Sequence, residues 1–149
     1  MKNYAHKIGA VLYVIWGVLH VAFGATMLYT LSAEGGTSVL AIVGSAVPYA
    51  DLPQNLDGIA NAILGQHSWN LLWFGLFAII VGVKMNWKNS RLGYWLNLGF
   101  VSAADIAFVI AILIPGYITL ADGLAGPLLW IMAAIFSTIG IRQGEAMTG

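Results

Sequence analysis

Four apolar runs organise this chain, at about residues 8–31, 61–83, 91–114 and 124–141. A helix crossing a bilayer needs roughly 20 predominantly apolar residues, and each run comes close to that length or exceeds it. Polar and turn-forming residues separate the runs. Pro115-Gly116 ends the third, and Gly126-Pro127 opens the fourth, where proline suits a first helical turn. The pattern predicts an all-α integral membrane four-helix bundle, with residues 1–149 forming a single transmembrane domain. The first run is too long for a cleaved signal peptide and is expected to be retained. Between the first and second runs lies the one long connection, with Gly35-Gly36, Pro48, Pro53 and the acids Glu34, Asp51 and Asp57. Residues 38–47 within it are apolar but too short to span, so an interfacial or re-entrant segment is expected there.

Composition agrees with this reading. The chain is 60% hydrophobic and 8% charged, against roughly 25% charged residues in soluble domains. Net charge is zero, which argues against a nucleic-acid partner. There is no cysteine, so disulfides, thiolate metal sites and thiol nucleophiles are excluded. With four antiparallel spans, Lys2, Lys7, Lys84, Lys88, Arg91 and Arg142 all fall on one side, and Glu34, Asp51, Asp57 and Asp122 on the other. The positive-inside rule then puts both termini in the cytoplasm of a plasma (inner) membrane protein and makes the long connection extracytoplasmic.

Ionisable residues inside spans are expensive, so His20, His67 and Asp105 call for a partner or a task. At about 1.5 Å per residue, His20, Asn70, Asp105 and Trp130 come to roughly 17–20 Å above the basic ends, with His67 at about 24 Å. The heights predict a polar pocket in the outer half of the bundle. Gly17, His20 and Gly24 are spaced to share one helical face, as are His67 and Asn70. Asp105 is expected to accept hydrogen bonds from His20, Asn70 or Trp130. Asn97 lies lower, on the Asp105 side of its helix, and reads as the strongly polar residue of the basic half. That sparsity disfavours ion or proton passage.

The pocket suits a small lipophilic ligand or substrate, with His20, Asn70 and Asp105 as candidate catalytic residues and His67, Asn97, Trp73 and Trp130 as binding residues. An acid beside histidines supports acid–base chemistry such as isomerisation. Haem is the alternative, with His67 or His20 as axial ligand, since neutral imidazole suits iron and helical bundles build such sites. A third class is a non-enzymatic assembly subunit, presenting Gly75, Gly82 and Gly99 as a small-residue seam. The implied partners are the lipid bilayer, a small lipophilic molecule and a second copy of the chain.

A four-span protein whose second helix carries His67-Ser68 near its start resembles the styrene oxide isomerases, which rearrange an epoxide to an aldehyde. The resemblance implies a haem ligated by His67 and an asparagine six residues further on that helps hold substrate. Here the sixth position is Trp73, and the nearest asparagine is Asn70, at plus three. That family's third-helix tyrosine has no counterpart, because Tyr94 stands too near the basic end.

Overall fold

The computed structural model describes residues 4–146. Lys2 and the last three residues of the tail lie outside them. The helices are α1 (Ala5–Glu34), α2 (Gly36–Val43), α3 (Gly58–Lys84), α4 (Arg91–Phe108), α5 (Leu120–Gly123) and α6 (Ala125–Ala146). The protein is all-α, and four of its helical segments are long and apolar enough to cross a membrane. α1 and α3 begin three residues before the predicted runs, and α1 and α6 also end later. Asp57 accepts from the Ala60 amide at 2.7 Å, which starts α3 ahead of its apolar stretch.

The four long helices run up and down around a common core. α1 lies closest to α3 and α6, and α4 closes the ring against α3 and α6 more loosely. The α1–α3 contact is a seam of small residues. Ala10, Gly17 and Gly24 recur every seven positions on α1, and Ser68, Gly75 and Gly82 do so on α3. A Cβ at Gly17 would stand 2.6 Å from the Gly75 carbonyl oxygen, and one at Gly24 would stand 2.6 Å from that of Ser68. Backbones this close exclude any side chain, as expected where van der Waals approach holds apolar helices together.

Along the α1–α6 contact a glycine on one helix meets a larger group on the other. His6 faces Gly140, Gly9 faces Ser137, and Trp16 and His20 face Gly126. Each step up α1 is matched by the same step back along α6, so the antiparallel register is fixed over the whole contact. Tyr13, Trp16, Ala78, Val101 and Ala133 form the buried centre.

The connection between α1 and α3 is more regular than its composition suggests. Gly35 adopts φ +90°, which ends α1 and releases the chain straight into α2. α2 covers much of the segment expected to be interfacial or re-entrant. It is tethered through Thr37, whose hydroxyl donates to the Pro53 carbonyl at 2.6 Å. Nearby, Ser45 Oγ donates to Asp122 at 2.7 Å and the Ala46 amide donates to the Tyr117 carbonyl at 3.1 Å, joining this connection to the one before α6. At the opposite end, Asn89 in the left-handed region turns α3 into α4 and donates to the Gly140 carbonyl at 3.0 Å. Lys7, Lys84, Lys88, Arg91 and Arg142 gather at that end.

Candidate functional site

The buried polar site is built on Trp16, His20 and Asp105. Trp16 and His20 are four residues apart on α1, so their rings stack, with centroids 3.6 Å apart. His20 Nδ1 lies 2.9 Å from the Trp16 carbonyl oxygen. A carbonyl only accepts, so Nδ1 carries the proton and Nε2 keeps its lone pair. Asp105, 2% exposed on α4, accepts from Trp16 Nε1 at 2.7 Å. The expectation that His20, Asn70 or Trp130 would be its donor is thereby corrected. The indole of Trp16 reaches across from α1, while Trp130 donates to Ser102 Oγ at 2.8 Å.

Gly126 completes the site from α6. A Cβ built there would stand 3.3 Å from Asp105 Oδ1, 3.8 Å from His20 Cε1 and 3.9 Å from Trp16 Nε1. A methyl-sized niche at one point therefore meets a carboxyl oxygen, an imidazole edge and an indole. Among the described residues, Asp105 has no cationic partner and Oδ1 accepts no hydrogen bond. Just beyond Asp105 the α4 ladder slips into a π turn over Val109–Leu113, with the Ile114 amide donating to the Val109 carbonyl at 2.8 Å. Such slips re-aim the flanking turns and recur at functional sites.

The remaining sequence candidates lie apart from this niche or beside it without a polar contact. His67 is exposed on α3, and Asn70 is half-buried one turn below it. Neither side chain hydrogen-bonds among the described residues. Trp73 is 49% exposed, its ring 5.9 Å from that of Phe77. His20 does not share the face of Gly17 and Gly24, since those glycines meet α3 while His20 turns toward α6. Gly75 is consumed by the internal seam, and Gly82 lies where that seam meets the outer surface, whereas Gly99 is open.

Asn97 is fully buried in another layer. Its Nδ2 donates to the Ala78 carbonyl at 3.3 Å and to the Asn86 side chain at 3.1 Å. It is not alone in the basic half: the Tyr94 and Thr138 hydroxyls pair at 3.1 Å. The hydroxyls of Tyr13 and Ser137 are buried there without a partner among the described residues. The sparsity expected from sequence is therefore corrected, because these polar groups are scattered over four segments and meet only on folding. Sequence reasoning missed Trp16 as the donor to Asp105. It also missed Gly126, although the Trp16–His20 spacing of four was a legible sign that the two rings stack.

Comparison with known protein families, characterised proteins and solved structures finds no match to this chain.

Proposed function

We propose that this chain is an integral membrane protein of the plasma (inner) membrane, with four spans, both termini in the cytoplasm and the α1–α3 connection outside. Four helices of spanning length, with their cations gathered at one end, support this reading. The niche of Trp16, His20, Asp105 and Gly126 binds the polar group of a small lipophilic molecule. The chemistry it supplies is proton-transfer isomerisation, of the epoxide-to-aldehyde kind implied by the resemblance to the styrene oxide isomerases. The carrying observation is the convergence of Asp105 Oδ1, His20 and Trp16 on the space left by the missing side chain of Gly126.

In this reading Asp105 donates a proton to, or accepts a hydrogen bond from, the ligand's polar atom. His20 takes up a proton at Nε2, because its Nδ1–H is committed to the Trp16 carbonyl. Trp16 holds the carboxyl in place. An isomerisation gains and loses no atoms, so one acid and one base suffice.

The test uses purified protein in detergent, offered styrene oxide and a panel of lipophilic epoxides and ketones. Binding is followed by calorimetry and product by chromatography. Saturable binding or turnover is expected, falling about tenfold or more in Asp105→Asn and in Gly126→Ala, a loss of about 1.4 kcal/mol. Wild-type behaviour of both variants toward every ligand that binds would overturn the reading.

One observation favours haem as a second reading. A ligating histidine normally donates its other ring N–H to a carbonyl or carboxylate, and His20 does so to Trp16. His67, the ligand implied by the resemblance, has no such support among the described residues. A Soret band in the purified protein, lost in His20→Ala and kept in His67→Ala, would select this reading and assign the ligand.

A further inference from the structure

A second feature lies on the outer surface of the bundle, at its basic end and away from the Asp105 niche. Ala10, Val11, Val14 and Ile15 of α1, Gly82 and Val83 of α3, and Trp87 in the following turn line an open groove of about 370 Å³. The groove exists because the small-residue seam comes to the surface there. A Cβ on Gly82 would stand 3.0 Å from Val14 Cγ2 and 3.4 Å from the Ala10 carbonyl, so the floor is backbone and the walls are aliphatic. Its volume matches the low end of small-molecule clefts, and its lining is almost wholly apolar.

What flanks the groove is charged. Lys7 lies one turn before Val11, Lys84 follows Val83, and Lys88 follows Trp87. The Lys7 ammonium is held 5.1 Å from the Trp87 ring centroid and 5.5 Å from that of Tyr4, beside the groove mouth. None of the three lysines meets a carboxylate among the described residues, and the Trp87 indole N–H has no acceptor there. One cation thus stands beside the mouth of an apolar slot, and two more follow directly on residues that line it.

We propose that this groove is a binding site for an anionic phospholipid. One acyl chain lies along Val11, Val14, Ile15 and Val83, and the phosphate is held by Lys7, Lys88 and the Trp87 N–H. Charge complementarity selects this occupant. Basic residues near the cytoplasmic surface attract anionic headgroups by about 1 kcal/mol each. A zwitterionic lipid brings an ammonium group to the same cations and gains little. The proposal rests on the membrane reading but not on the chemistry at Asp105.

The experiment compares phosphatidylglycerol with phosphatidylcholine, each added to the full-length protein in detergent, by native mass spectrometry and thermal unfolding. A one-to-one phosphatidylglycerol adduct and a raised Tm are expected, with no matching effect of phosphatidylcholine. Lys7→Ala/Lys88→Ala should weaken the adduct about tenfold or more. Val11→Trp, at an exposed position, should fill the groove and abolish the adduct while the protein stays folded. Equal binding of the two lipids, an unchanged preference in the double lysine variant, or a groove closed by dimerisation would each overturn the proposal. Carbonate extraction of cell membranes separates the two levels. A protein retained in the membrane without lipid preference sinks this inference alone, and one released as a soluble chain sinks the membrane reading with it.

Discussion

At the scale of single residues, the energetics centre on one hydrogen bond between groups that have left water. Asp105 and Trp16 Nε1 satisfy each other across 2.7 Å, and removing either partner strands the other at about 1–3 kcal/mol. Trp16→Phe and Asp105→Leu should therefore each lower Tm in detergent. The double variant should recover part of the loss, because no polar atom of the pair is left stranded. Strict additivity in that cycle would show that the two groups are not coupled. Asp105→Asn keeps an acceptor for the indole, so its Tm should stay near wild type while ligand handling fails. Gly126→Ala makes a cleaner probe of the niche. Alanine gains about 1 kcal/mol over glycine in a helix, so a loss of binding with equal or higher Tm would separate occlusion from unfolding.

Among the elements, the α1–α3 seam carries the fold. Gly75→Leu drives a side chain into the backbone of Gly17 and into Val21, and overpacking of this kind costs about 1–3 kcal/mol or more. Gly99→Leu, where nothing lies within 4 Å, should be neutral or mildly stabilising in the same thermal melt. A comparable loss in both variants would mean that the seam is not the organising contact. Asp57→Ala removes the cap of α3 and should cost about 1 kcal/mol, visible as fraying of its first turn in amide exchange. The helices themselves were legible in the sequence because each carries an apolar run of spanning length. α2 was not, since eight residues behind a glycine at positive φ form a helix only when bundle and loop contacts hold them.

For the whole molecule, sidedness is the quantity to measure. Asn55 is exposed in the α1–α3 connection and Gln143 is exposed near the end of α6. In intact cells a membrane-impermeant thiol reagent should label Asn55→Cys, and it should reach Gln143→Cys only after permeabilisation. The reverse pattern would invert the topology. The chain has no cysteine of its own, so each variant carries a single reporter.

The order of apolar runs and the placement of Lys and Arg determine, without any structure, how many long helices form and which ends they share. Both are properties of stretches, readable from composition and length alone. The face each residue presents is different, because it depends on which neighbour comes closest. Gly17 and His20 are three apart on α1, yet the first serves α3 and the second α6, since α1 is wedged between two partners in two separate registers. Height estimates could place His20, Asn70, Asp105 and Trp130 in one layer. Only the packed bundle chose Trp16 as the donor to Asp105 and left Trp130 to Ser102, because rotation about each helix axis is set by side-chain packing against its neighbours. The same packing gathered Tyr94, Thr138, Asn86 and Asn97 from separate segments into the basic half. It also left a glycine, invisible as a site residue in sequence, to define the space beside Asp105 Oδ1, His20 and Trp16.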